Sequence, residues 1–320
     1  MLIMRNLKRL FAPVTYVLAS LMVFSSCKSD DPIVTPPPPA TKTITAIVVE
    51  DAKFSVLETA LIKTNLSKTL DSTGLFTVLS PTNDAFTKAG IKVDSLTKDA
   101  LSPILKSHVL TGMIKSGDFK SGKISTGNAA NDIYISKNAE GVFINGNIKV
   151  VATEVLATNG VIHSIDNVIT IPKKSLVEVV KADPNFSDLV AFVTAADPSV
   201  ATALTDASAN GNTVFLPNNA AFATLYKDST MTKAKLLDPS NKALLTNILL
   251  YHVVPSRVFS TDLPNVTGEV QTANATGKVS FDLAGGAKIK GTKSGVSNIT
   301  TTNILATNGV MHVIDKVLIP

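Results

Sequence analysis

The sequence predicts an α+β fold, built twice, and three observations predict it. The segment LATNGV at 156–161 recurs unchanged at 305–310, an offset of 149 residues. Within each copy, apolar residues at helical spacing come first and short strand-like runs follow, the order of an α+β unit rather than of a wound parallel sheet. Asn145-Gly146 and Asn159-Gly160 punctuate the later half as turns, because Asn and Gly tolerate positive φ.

A leader precedes the repeats. Arg5, Lys8 and Arg9 open it, and an apolar run over 10–24 follows, about 15 residues against the roughly 20 of a membrane-spanning helix. A basic start, a short apolar stretch and small residues at its end describe a secretory signal. Ser25 and Ser26 lead directly into Cys27, the only cysteine. The segment FSSC at 24–27 resembles the bacterial lipoprotein signal, which implies a signal peptide over 1–26 and lipid attachment at Cys27. Such lipidation supplies more than one acyl chain, as stable anchoring requires. Lys28, Ser29, Asp30 and Asp31 resemble the surface-export signal of some Gram-negative lipoproteins. Pro32 and the four prolines at 36–39 favour an extended polyproline spacer. Residues 27–43 are therefore expected to be a lipidated cysteine and a tether, holding the folded part at an outer membrane: on its outer face if 28–31 act as the export signal, or at its inner leaflet if they only begin a solvated linker.

Composition excludes several classes. The net charge of +5 falls to +2 without Arg5, Lys8 and Arg9, leaving 27 basic against 25 acidic residues. Nucleic-acid binding needs clustered cations, so none is expected. A single cysteine excludes an internal disulfide and the multi-cysteine zinc sites. Absence of Trp, with only four Tyr, argues against stacked aromatic platforms for sugars.

Three landmarks recur in the same order. Residues 76–86 (FTVLSPTNDAF) match 212–222 (NTVFLPNNAAF), 105–109 (LKSHV) match 249–253 (LLYHV), and 156–166 match 305–315. The copies are placed at 44–172 and 174–320, each long enough to bury a core. In the first copy, apolar spacing predicts a helix from Phe54 to Ile62. Residues 77–79 read as a buried strand stopped at Pro81, after which Asn83 is expected to cap a short helix, as Asn219 does in the second copy. Ser102-Pro103 reads as the start of a helix running to His108. Strands are expected at 133–135, 142–144, 148–151 and 161–171. In the second copy, 186–193 reads as helix, and the Thr-, Ala- and Gly-rich stretch 268–296 as hairpins. Residues 171–174 leave almost no linker, so the two units are expected to touch.

A strand-Pro-x-Asn-x-Ala-Phe block, a Leu-x-x-His-Val block and an Ala-Thr-Asn-Gly-Val-x-His-x-Ile-Asp block, in that order, resemble the fasciclin (FAS1) domain in both copies. The resemblance implies a wedge of β-strands packed with several α-helices. It also implies a non-enzymatic cell-surface module for adhesion or protein interaction, with a surface protein, matrix or glycan as partner and no cofactor. The alternative is a polysaccharide-binding accessory lipoprotein of a surface nutrient-uptake system.

All four histidines fall on landmarks, which invites a metal reading because imidazole is the commonest ligand. No HExxH helix or carboxylate-rich spacing accompanies them. His108, His163 and His312, with Asp166, Asp315, Asn83 and Asn219, are accordingly expected to be structural, and no metal site is expected. The pairs His163/Asp166 and His312/Asp315 are three apart in a strand and so point to opposite faces, which weakens an acid–base reading. No GxSxG or phosphate-binding loop occurs, and no catalytic residue is assigned. The family resemblance implies partner contacts at an Asp-Ile pair just before the Ala-Thr-Asn-Gly block and at a Tyr-His pair. The matching positions are Glu154-Val155, Asn303-Ile304 and Tyr251-His252, the last being the sole full match; the first copy carries Ser107-His108 instead.

Overall fold

A computed structural model describes residues 40–206, 211–227 and 230–320; the leader, Cys27 and residues 28–39 lie outside the described residues. Each unit starts with short helices, the first of which is closed by a local side chain. The first unit runs α1 (Ile44–Glu50), α2 (Ser55–Thr64), α3 (Ser67–Leu70), β1 (Phe76–Pro81), α4 (Asn83–Lys88), α5 (Lys98–Lys106), β2 (Val109–Thr111), β3 (Gly122–Ile124), β4 (Ile133–Asn138), β5 (Gly141–Ile144), β6 (Ile148–Ala157) and β7 (Gly160–Ile165). The second runs α6 (Leu176–Ala182), α7 (Ser187–Ala195), α8 (Pro198–Thr205), β8 (Asn212–Pro217), α9 (Asn219–Leu225), α10 (Lys233–Leu237), α11 (Lys242–Tyr251), β9 (Val253–Val254), β10 (Val270–Gln271), β11 (Lys278–Asp282), β12 (Lys288–Gly291), β13 (Gly295–Ala306) and β14 (Gly309–Ile314). Thr43 caps α1, and Ser175 with Glu178 forms a capping box on α6.

Each unit builds a seven-stranded sheet, in the orders β2-β1-β7-β6-β5-β4-β3 and β10-β11-β12-β13-β14-β8-β9. The central pairs β1–β7 and β8–β14 are parallel and the other pairings antiparallel. The architecture is the expected α+β: helices over one face, strands dominating the rest. Strand alternation sorts the core into two layers. In β1, Val78 packs with the helices, beside Leu57, Leu101 and Leu105, while Leu79 joins Phe119, Ile135 and Ile144 on the opposite side. In β8, Val214 and Leu216 face the helices and Phe215 faces Tyr251, Ile289 and Leu318.

Three local expectations are corrected. Asn83 and Asn219 do not cap their own helices; Thr82 and Asn218 do, accepting from the amides of Ala85 and Ala221. Asn83 instead reaches 27 residues back and accepts from the Val56 amide in α2 at 3.0 Å, and Asn219 does the same for Asp188 in α7 at 3.1 Å. The helix expected to begin at Ser102-Pro103 begins at Lys98, capped by Thr97, and Pro103 lies inside it. The run 161–171 is strand only to Ile165, beyond which Asp166 uses its side chain on the Lys149 amide and the Ile169 amide donates to His108 rather than to a ladder partner.

The units are in contact, as the short linker predicts. Asn138 Nδ2 donates to the Thr261 carbonyl and Asn265 Nδ2 to the Lys137 carbonyl, both at 2.9 Å. The Arg257 guanidinium lies 4.5 Å from the centre of the Tyr134 ring. Tyr134 also packs against Phe259, with ring centres 5.9 Å apart.

Candidate functional site

Two structural devices stand out around the landmark residues. The first is a pair of histidine pins. At the end of α5, the Ile169 amide donates to His108 Nε2 at 2.9 Å, so the proton sits on Nδ1, which donates to the Ile104 carbonyl at 2.8 Å. His252 repeats this with Leu318 and Ile248, at 2.9 and 2.8 Å. Each imidazole thus fastens the last segment of its unit to a helix end. Burial pushes both down to a pKa of about 4, only partly opposed by the carbonyl that accepts from Nδ1. His163 and His312 act differently, donating from Nε2 to the carbonyls of Ile114 and Val258, at 2.8 and 2.9 Å. Burial lowers His312 to about 4 and lowers His163 as well.

The aspartates are not partners of these rings. Asp166 accepts from the Lys149 amide at 2.7 Å and pairs with Lys88 at 3.1 Å. Asp315 accepts from the Asn298 amide and the Ser297 hydroxyl, both at 2.8 Å. Burial alone would raise the Asp315 pKa, but the bonds from Asn298 and Ser297 bring it below the usual carboxylate value. Both carboxylates therefore clip the start of the long strand to the end of the last. Among the described residues, no group of three or more His, Cys, Asp or Glu is placed to hold a metal ion.

The Asn-Gly turn of the third landmark closes each unit on its first helix. Asn159 Oδ1 accepts from the Ile44 amide at 2.9 Å, and Asn308 Oδ1 from the Leu176 amide at 3.0 Å. Its glycine has a separate cause: a Cβ on Gly160 would stand 2.0 Å from the Phe76 carbonyl oxygen. Only Gly lets the parallel strand approach so closely.

The second device is a β-bulge, where the pairings β6–β7 and β13–β14 both shift register. It puts a non-glycine residue at positive φ in each unit, Glu154 at 47° and Asn303 at 58°. These are the counterparts singled out in the sequence, and their surroundings differ. Glu154 accepts from the Ser116 amide at 3.1 Å and the Ser116 hydroxyl at 2.9 Å, which together hold its carboxyl below the usual range. Val155 beside it is 38% exposed and Val151 is 52% exposed.

Asn303 is only 3% exposed, because it forms the joint between the units. Its Nδ2 donates to the Gly146 carbonyl at 3.0 Å, Asn147 Oδ1 at 2.9 Å and Ser260 Oγ at 2.7 Å; its Oδ1 accepts from the Ser260 amide at 2.8 Å. Asn147 Nδ2 returns a bond to the Asn303 carbonyl at 3.2 Å. Gly146, read in the sequence as a turn residue, has φ of 72°, and any Cβ there would lie 2.7 Å from both Asn303 and Phe259.

Tyr251 and His252, the full match among the candidate contact residues, lie in the core at 0% and 3% exposure. The Tyr251 hydroxyl donates to the Lys278 carbonyl at 2.6 Å and accepts from the Thr292 amide at 2.9 Å. Ile304 is half-buried against the helical core of its own unit. Of the three candidate pairs, only Glu154-Val155 presents side chains outward.

Sequence reasoning missed Arg257, which donates to the Gly309 carbonyl at 2.8 Å while covering Tyr134. Burial lowers its pKa, and Tyr134 opposes this. Thr213 bonds the carbonyl of Ser256 and the amide of Val258 just as Thr77 bonds those of Gly112 and Ile114, so Arg257 stands where the first unit has Met113. A charged residue at one repeat position and an apolar one at its counterpart was the available signal.

A family model described as the Fasciclin domain matches residues 52–172 and 184–320. Protein sll1483 of Synechocystis sp. is 40% identical over 149 residues, covering 46% of this chain and 73% of that protein. Periostin of Homo sapiens is 27% identical over 288 residues, covering 87% of this chain and 32% of periostin, so the chain spans about a third of that relative's length. A solved structure of a FAS1 domain pair from the insect cell adhesion molecule fasciclin I aligns with 86% of this chain and 96% of its own, at 20% identity and a TM-score of 0.43.

Proposed function

Because the chain belongs to the fasciclin domain family, we propose that it is a non-enzymatic adhesion or protein-interaction module of the cell surface, engaging its partner at the bulge of the first unit. The observation that carries the site is the contrast in exposure. Val155 is 38% exposed beside Glu154, whereas Asn303, Tyr251 and His252 are committed inside the molecule. A surface-held carboxylate next to exposed valines offers a partner both a charge and apolar area, the mix of a small contact centre.

The same proposal includes the anchor. Cys27 carries the lipid, residues 28–43 form the tether, and fasciclin units over 44–172 and 174–320 stand on the outer face of an outer membrane. The basic, short and apolar leader ending at Cys27 supports this. Among the described residues no helix is long and apolar enough to cross a membrane.

Beads coated with the protein, tested on surfaces of matrix proteins and glycans, provide the assay. The double variant Glu154→Ala/Val155→Asp should reduce attachment about tenfold, the scale of a contact hot spot, with the fold retained by circular dichroism. Undiminished attachment removes the site, and no attachment of the wild type to any surface removes the adhesion reading. Cys27→Ala should abolish labelling by radioactive palmitate, and protease added to intact cells should digest the wild-type domains.

A further inference from the structure

The helical layers of the two units are built from matched helices but close differently. In the first unit Val48 and Leu61 are buried, packed with Leu57 and Leu70 between α1, α2 and α3. Their counterparts in the second unit, Val180 and Val193, are only half-buried. The third helix also differs, α8 having eight residues where α3 has four. Between α6, α7, α8 and the sheet a cavity of about 500 Å³ opens, within the usual range of small-molecule sites.

Its walls define what it can hold. Val177, Val180, Val193, Ala201, Leu204 and Met311 make them aliphatic. Polar groups that reach the wall are already used: His252 has both ring nitrogens bonded, to the Ile248 carbonyl and the Leu318 amide. A ligand polar group inside would lose its water and gain nothing in return. Planar aromatic ligands are not favoured either. Phe215 is the one phenylalanine among the lining residues, and its ring lies on the far side of the sheet, stacked on His312 at 5.5 Å. At the rim stands Lys181, exposed and, among the described residues, in no ion pair. An aliphatic interior with one cation at its edge is the complement of a chain with a terminal carboxylate.

We propose that this cleft of the second unit binds a long-chain fatty acid, its hydrocarbon between α6, α7 and α8 and its carboxylate at Lys181. The site is independent of the adhesion surface, which lies on the first unit.

The test uses the purified full chain and cis-parinaric acid, a fluorescent fatty acid with no aromatic ring, displaced by unlabelled fatty acids of increasing length. Each added methylene should tighten binding about three- to fourfold until the cavity is full, after which affinity levels off. Val193→Phe, which fills the cavity, should weaken binding more than tenfold, and Ala201→Leu is a second occluding variant, both checked for folding by circular dichroism. Lys181→Ala should weaken the acids several-fold and leave the matching alcohols unchanged. Independently of any variant, a diazirine-bearing palmitate photolysed on the wild-type chain should label peptides within 176–205. No displacement at any length, wild-type affinity in both occluded variants, labelling outside the second unit, or binding to phosphatidylcholine vesicles without binding to free fatty acid would each overturn the proposal.

Discussion

The same bulge does different work in the two units, and the residue each unit places there explains how. Asn303 sits at positive φ, where Asn is tolerated well, and spends its amide on the joint. Glu154 adopts the same backbone at a cost of about 1 kcal/mol. Its two bonds from Ser116 partly offset that cost and hold the carboxylate at the surface. A repeated fold therefore does not imply a repeated function. Identical backbone devices become a hinge-free joint in one copy and an exposed charged feature in the other, according to one side chain.

Acid is the strongest way to test what the units share. His108, His252 and His312 have folded pKa values of about 4 against an ordinary 6.5. The unfolded chain therefore binds protons that the folded chain refuses, and stability falls as pH drops from 6.5 to about 4. Each ring contributes up to about 3 kcal/mol to that loss, so thermal unfolding followed by circular dichroism should show a steep decline across this window and none from these rings above it. If the melting temperature is flat between pH 7 and 4, the buried neutral rings are wrong. His108→Ala and His252→Ala come next. Each removes a pin and strands a buried amide, Ile169 or Leu318, for a loss of about 3 kcal/mol at neutral pH; calorimetry should find the two variants equal if the pins are equivalent.

Changes at the joint should separate the units rather than unfold them. Asn303→Ala deletes four side-chain bonds and should cost about 2 kcal/mol, turning a single calorimetric transition into two. Gly146→Ala should do the same at about 1–2 kcal/mol, through positive φ and the clash with Phe259. A single sharp transition in both would mean that the joint carries little of the coupling. The smallest expected effect runs the other way: Glu154→Asn relieves the backbone and should raise stability by up to about 1 kcal/mol in denaturant titration while weakening attachment less than the double variant does. Lower stability would show that the Ser116 bonds outweigh the strain.

Much of the fold was legible because the repeat doubles every signal. The Pro-terminated strand, the histidine after the helix and the Asn-Gly turn each recur, and each turns out to fasten one element to another. Local rules failed where the partner is distant. Asn83 has a capping residue's chemistry, but the helix it serves lies 27 residues upstream. Ser102-Pro103 resembles a helix start because Thr97, Lys98 and Asp99, the actual first turn, carry no apolar signal. The joint was the least legible part. It depends on departures from the repeat, Arg257 against Met113 and Asn303 against Glu154, and a search for likeness passes over them. The cleft was hidden for a related reason, since Val193 for Leu61 is an unremarkable change until the helices around it are in place.

The joint also has a direction. A bulge on one unit meets a hairpin turn on the other, so the contact is heterologous: the two surfaces differ, and neither can be exchanged with its partner by a twofold rotation. Such a contact uses up one face of each unit and leaves the other kind free, a bulge on the first and the 292–294 turn on the second. The pair is therefore polar in the sense that a screw and nut are, with two unlike ends.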